Sequence, residues 1–173
     1  MAEAGAPFSA YRTTVREEWL DYNGHMNDAS YSVALSEANE VLLETLGLSA
    51  GYREEHQSSM FTVETHVRYL AECSRGQSLT ASTVVVDADP RRLRLHTELL
   101  DDQGRPVATG ETLYLHVDIG LGRVTELPAD RLRAVEDLRA AHAALPRPAH
   151  LGLGVGAPRQ RPREDTRQGA ERG

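Results

Sequence analysis

The sequence predicts an α+β domain in which an antiparallel sheet of about five strands wraps around one long central helix, with a second helix near the C-terminal end. Three observations predict it. Apolar residues recur at helical spacing from Tyr31 to Leu46. The period then drops to two between Met60 and Val117, interrupted by turn signals. Helical spacing returns over Ala129–Leu145 and stops at Pro146. A strand, a long helix and then a run of strands is the element order of a layered α+β fold.

Taken in order, residues 9–19 alternate through Tyr11, Thr13 and Val15, which predicts a first strand ending near Trp19. Asn27 or Asp28 can cap the helix that follows. On that helix Tyr31, Ala34, Leu35, Ala38, Val41, Leu42, Thr45 and Leu46 recur on one broad face, opposed by Glu37, Glu40 and Glu44. Gly47 stops it as the residue just past the C-cap. A polar link spans 49–59. Strand-like alternation over Met60–Leu70 puts Phe61, Val63, Thr65, Val67 and Tyr69 on one face and Thr62, Glu64, His66 and Arg68 on the other. Ser78–Asp87, Leu93–Leu100 and Val107–Val117 are the remaining strands, joined at Asp89-Pro90 and at Asp101-Asp102-Gln103-Gly104.

With 173 residues the chain is expected to form one domain over 1–157, with its core at about 10–145. Residues 146–173 hold six Arg against Glu164, Asp165 and Glu171, a surplus of +3, so the −7 of the whole chain leaves −10 on the rest. Such an acidic body excludes a nucleic-acid partner, and the Arg-, Gly- and Pro-rich stretch from 158 to 173 is expected to be disordered. No run of about 18 apolar residues and no charged-then-apolar leader occurs, so no membrane partner is expected. Cys73 is the only cysteine, which excludes an internal disulfide and fits a cytoplasmic setting. Lysine is absent, which rules out Schiff-base chemistry. His96, His116, His142 and His150 have no ligand spacing, so neither a metal nor a cofactor is expected.

The chemistry concentrates in Asp21-Tyr22-Asn23-Gly24-His25-Met26-Asn27-Asp28. This polar loop offers a carboxylate, an amide and an imidazole, and it runs directly into the long helix. A helix start carries unpaired N–H groups and partial positive charge, which suits a developing oxyanion. Asp21 can act as a nucleophile or as a base for water, where an isolated loop Asp would merely cap a turn. His25 can donate to a thioester oxygen or position water, and can equally bond a backbone carbonyl. Asn23 can act in the site or hold a strained turn, and Gly24 is needed for backbone geometry.

This segment resembles the active-site loop of the hotdog-fold acyl thioesterases. In the 4-hydroxybenzoyl-CoA thioesterase branch an Asp followed by x-x-Gly opens the central helix, with a Tyr ten residues on; Asp21, Gly24 and Tyr31 match without a gap. Plant-type acyl-ACP thioesterases carry Asp-x-Asn-x-His-x-Asn-Asn, matched by Asp21, Asn23, His25 and Asn27, with Asp28 in place of the last Asn. The resemblance implies a hotdog fold, Asp21 as the catalytic carboxylate and the Asp28 backbone N–H as the oxyanion donor. It also implies an oligomer, a homodimer or homotetramer, with the acyl-CoA tunnel at the dimer interface.

Glu18–Met26, Phe61–Leu70 and Leu115-His-Val-Asp118 are similar to the betainyl-CoA thioesterases of bacterial carnitine breakdown. That similarity implies hydrolysis of betainyl-CoA to betaine and CoA; alternatives are another short or aromatic acyl-CoA, or a non-catalytic acyl-CoA-binding protein. A trimethylammonium group calls for aromatic faces, and Trp19, Tyr22, Tyr31 and Phe61 lie in or near the motif segments. Glu64 shares a strand face with His66 and Arg68 and is a further catalytic candidate, against a solvated strand face. Arg91, Arg92 and Arg94 can meet CoA phosphates or form a solvated turn.

Overall fold

The computed structural model describes residues 5–153; the stretch expected to be disordered from 158, and residues 1–4 and 154–157 of the expected domain, lie outside them. The elements run β1 (Arg12–Thr14), a 3₁₀ turn (Glu17–Trp19), α1 (Asp28–Thr45), α2 (Ala50–His56), β2 (Ser58–Tyr69), β3 (Ser78–Asp89), β4 (Arg92–Leu100), β5 (Pro106–Asp118), β6 (Arg123–Val124) and α3 (Ala129–His142). The sheet is antiparallel in the order β1-β3-β4-β5-β2, and the two-residue β6 pairs with the end of β5.

α1 lies across β3, β4 and β5. Most of its predicted face is buried, with Tyr31, Ala34, Leu35, Ala38, Leu42 and Leu46 at most 6% exposed, while Val41 is half-buried, Thr45 is exposed and Leu43, outside that face, is buried as well. Helix and sheet approach closely at Gly110, where a Cβ would stand 3.0 Å from Leu35 Cδ1. Leu46 closes the helix and Gly47 follows at φ +70°, the left-handed C′ position expected from sequence. α3 packs on β3, and its buried Val135 belongs with Leu42, Leu43 and Leu46 to the second cluster of the core.

Three sequence expectations are corrected. The first strand is short, because the chain turns at Arg16–Trp19 to bury Trp19 beside Tyr31. The link at 49–59 contains α2, whose only buried residue is Tyr52, bonded to His116 Nε2 at 2.8 Å; one inward ring leaves no periodic trace. Third, a bulge at Val63 separates the pairs Thr62↔Tyr114 and Glu64↔Leu113. The extra residue inverts side-chain parity. Phe61 therefore shares the outer sheet face with Glu64, His66 and Arg68, while Thr65, Val67 and Tyr69 turn toward α1.

β2 is one edge of the sheet, the three-residue β1 being the other. β2 carries Phe61, Val63 and Tyr69, which are 46–51% exposed. Such a long, apolar edge is a template for pairing with another strand.

Candidate active site

The loop 21–27 is a closed structure built on Asp21. Asp21 N–H donates to the His25 carbonyl at 2.8 Å, and Gly24 N–H to the Asp21 carbonyl at 3.0 Å. The Asp21 carboxylate in turn accepts Asn23 N–H at 2.8 Å, Asn23 Nδ2 at 3.2 Å and His25 N–H at 3.4 Å. Gly24 sits at φ +79° with nothing near its missing Cβ, so the requirement there is conformational. Partial desolvation pushes the Asp21 carboxyl up, but the hydrogen bonds from Asn23 and His25 outweigh it and hold the group below the usual aspartate range. Asp21 is thus ionised at neutral pH.

The loop is seated on the 71–74 segment and on α1. Met26 N–H donates to the Cys73 carbonyl at 2.8 Å, and His25 bridges Ser74. Asn27 is the N-cap of α1, accepting Ser30 N–H at 3.0 Å, while Asp28 Oδ1 accepts Ala29 N–H at 2.9 Å. Among the described residues, the Asp28 N–H is left with no acceptor. A carboxylate and an open helix-start N–H therefore flank one short loop, which is what addition to a carbonyl requires.

The structure divides the remaining candidates. Asn23 and His25 stay with Asp21; His25 Nδ1 also lies 3.7 Å from Glu72, a neighbour the sequence did not suggest. Tyr69 also reaches this site. Its hydroxyl donates to the Asp28 carbonyl at 3.4 Å and its ring packs edge-on to Tyr31 at 5.5 Å, a contact between residues far apart in sequence.

The four aromatic residues do not form one cage. Trp19 and Tyr31 are core residues, Trp19 under the Arg16 guanidinium at 4.4 Å and Tyr31 bonded to the Ala71 carbonyl at 3.0 Å. Tyr22 is 97% exposed, and Phe61 is on the other sheet face because of the bulge.

Glu64 likewise lies away from the loop. It lines an outer-face cleft of about 260 Å³ with His66, Asp87, Arg92, Arg94 and Glu111, and no residue of 21–28 reaches it. Each arginine near the β3–β4 turn is already held by a carboxylate: Arg91 by Glu126, Arg92 by Asp89 and Asp87, Arg94 by Glu111. Cys73 is fully buried, and burial pushes its thiol up, so it is not a nucleophile. No three His, Cys, Asp or Glu side chains among the described residues are placed to hold a metal ion, and no helix there is long and apolar enough to cross a membrane.

Residues 15–140 match the thioesterase-like superfamily. The chain is 41% identical over 157 residues to an L-carnitine dehydrogenase/betainyl-CoA thioesterase of Agrobacterium fabrum, covering 91% of this chain and 32% of that protein. It is 36% identical over 151 residues to the betainyl-CoA thioesterase of Pseudomonas aeruginosa, covering 87% of this chain and 95% of that one. The chain thus spans about a third of the two-activity relative and nearly the whole of the second. Among solved structures, a Staphylococcus aureus protein determined in complex with CoA superposes with a TM-score of 0.82 at 26% identity, over 91% of this chain and 100% of that chain. A putative thioesterase from Pseudomonas putida gives 0.76 at 29% identity, over 88% and 97%.

Proposed function

Since the chain belongs to the thioesterase-like superfamily, we propose that it hydrolyses betainyl-CoA to the free trimethylammonium acid and CoA, with Asp21 as the catalytic carboxylate. One observation carries the chemistry: the ionised Asp21 carboxylate is fixed by hydrogen bonds within its own loop, and that loop runs into the start of α1, where the Asp28 N–H has no acceptor among the described residues. The acyl group is taken from the names of the two relatives.

A carboxylate held below its usual range suits attack on the acyl carbon better than proton abstraction from water, because a general base works best near the operating pH. In that route an Asp21 oxygen adds to the thioester carbon and the Asp28 N–H stabilises the resulting oxyanion. The C–S bond breaks, CoA leaves as the thiolate and takes a proton from solvent. Water then adds to the mixed anhydride, restoring the Asp21 carboxylate and releasing the acid. Asn23 and His25 fix the carboxylate, and His25 can also orient the water.

The functional unit in this proposal is at least a homodimer in the cytoplasm. The free β2 edge with its exposed Phe61, Val63 and Tyr69 supports a second copy, and the unpaired thiol of Cys73 supports a reducing compartment. The decisive experiment is Asp21→Asn, which should lower betainyl-CoA hydrolysis on the order of 10²–10⁴-fold with CoA binding retained. Activity within a few-fold of the parent would remove Asp21 from the chemistry. A parent that binds acyl-CoA without releasing thiol would favour a binding protein.

A further inference from the structure

The last turn of α3 carries Arg139 and His142, three residues apart and so on one face of the helix. The chain turns after the helix, and the stretch through Pro146 and Pro148 closes a pocket of about 230 Å³ against β3. Arg139, His142 and Arg147 line this pocket beside Val84, Pro146 and Leu151, and no carboxylate of the described residues lines it. None of its lining residues belongs to the Asp21 loop or to the 71–74 segment that seats that loop.

Two buried N–H groups of the lining residues are left without an acceptor. His142 is 5% exposed, and its Nδ1 accepts the Val85 N–H at 2.9 Å. The neutral ring therefore carries its one proton on Nε2. Burial keeps the ring neutral against the pull of the Ala6 carbonyl. The His142 Nε2 has no hydrogen-bond partner among the described residues, and neither has the Arg139 Nε. Buried donors of this kind are nearly always satisfied by protein, water or ligand. Among the described residues no carboxylate pairs with Arg139 or Arg147, unlike Arg91, Arg92 and Arg94, and Arg147 reaches only the Leu151 carbonyl at 3.5 Å. A basic last turn suits the helix dipole, but that attraction supplies no acceptor for a buried N–H.

We propose that this pocket binds a small carboxylate with a short apolar body. Its oxygens accept from Arg139, Arg147 and the His142 Nε2–H, while the body packs on Val84, Pro146 and Leu151. A guanidinium matches a carboxylate through two parallel N–H bonds. Phosphate has no apolar part and would leave the valine, proline and leucine walls unfilled. The site is separate from the Asp21 loop, and the proposal does not depend on the hydrolase assignment. A bound carboxylate joins the end of α3 to the segment that follows it, so it stabilises the folded chain.

Butyrate is the probe, titrated by calorimetry and by its effect on Tm, with ionic strength held constant by chloride. Butyramide and inorganic phosphate are titrated alongside it. Butyrate should raise Tm saturably, and butyramide, of the same shape without the charge, should bind about tenfold more weakly or worse. Arg139→Gln and Arg147→Gln should each weaken butyrate binding about tenfold, while Asp21→Asn binds it as the parent does. Arg147 is exposed, so its replacement leaves the fold intact and decides the matter if Arg139→Gln is unstable. A butyrate response no larger than that of chloride, or one that survives Arg147→Gln, would overturn the proposal. Phosphate binding as tightly as butyrate would overturn the assignment to a carboxylate with an apolar body. Loss of the butyrate response in Asp21→Asn would place the ligand in the catalytic loop and overturn the separate site.

Discussion

The side chain of Asn27 donates from Nδ2 to the Trp19 carbonyl oxygen at 3.0 Å, while its Oδ1 accepts the Ser30 N–H at 3.0 Å. Asn27 N–H reaches the same Trp19 carbonyl at 2.8 Å. One residue thus ties the chain entering the Asp21 loop to the first turn of α1. The position of the carboxylate relative to the helix start follows from this clamp.

Replacing Asn27 with Ala should lower stability by about 1–2 kcal/mol through loss of the cap. The Asn27→Asp variant keeps the acceptor for Ser30 and loses the donor to Trp19. It should fold nearly as well as the parent yet lose kcat with little change in KM, because the side-chain tie to the Trp19 carbonyl is lost and only the backbone N–H contact remains. Urea titrations and steady-state kinetics on both variants separate the two contributions; an Asn27→Asp enzyme with parental kcat would show that the Trp19 contact does not position Asp21.

The pH dependence of kcat/KM should have no acid limb in the physiological range. Hydrogen bonds from Asn23 and His25 keep the Asp21 carboxyl below the usual aspartate range, so the active ionised form persists as pH falls and is lost only below that range. A rate profile measured down to pH 5 should stay nearly flat while the protein remains folded. An acid limb in the ordinary imidazole range would assign the essential proton transfer to a histidine.

Stability should decline on mild acidification because of His96. This residue is 1% exposed on β4, its Nε2 has no partner among the described residues, and burial pushes its imidazole down to about 4 despite the nearby Glu111 carboxylate, with Arg94 and His150 pushing the same way as burial. An unfolded histidine titrates near ~6.5. Between these values the unfolded chain binds the extra proton, so the folded state is favoured fully above about pH 6.5 and loses support toward pH 4, by roughly 3 kcal/mol. His142, also lowered by burial, acts in the same direction. Unfolding free energies at pH 7 and pH 5 should differ clearly in the parent and less in His96→Leu. An unchanged difference in that variant would exclude His96 as the source.

Gly110→Ala should destabilise the protein by about 1–3 kcal/mol. A Cβ there meets Leu35 at 3.0–3.4 Å on three of its atoms, and Leu35 is buried between α1 and the sheet. The double variant Gly110→Ala, Leu35→Val tests the cause by giving the methyl room. If Leu35→Val relieves none of the penalty of Gly110→Ala in a double-mutant cycle, the close approach of α1 to β5 is not what requires the glycine.

Much of this architecture is written locally in the chain. The α1 core face, the left-handed Gly47 and Gly24, and the Asn27 cap depend on residues within a turn or two of one another, so composition and spacing determine them. The loop Asp21–His25 is legible for the same reason, since its hydrogen bonds all run between residues at most four apart. What spacing does not determine is anything settled across the sheet. The bulge at Val63 exists only in relation to β5, and it alone sends Phe61 and Glu64 to the face away from α1. The burial of Trp19, the contact of Tyr69 with Asp28, and the carboxylate partners of Arg91, Arg92 and Arg94 arise the same way, except for the local Arg92–Asp89 and Arg92–Asp87 pairs. Side-chain period is a property of one strand, whereas register and contact belong to pairs of elements, and only folding brings those pairs together.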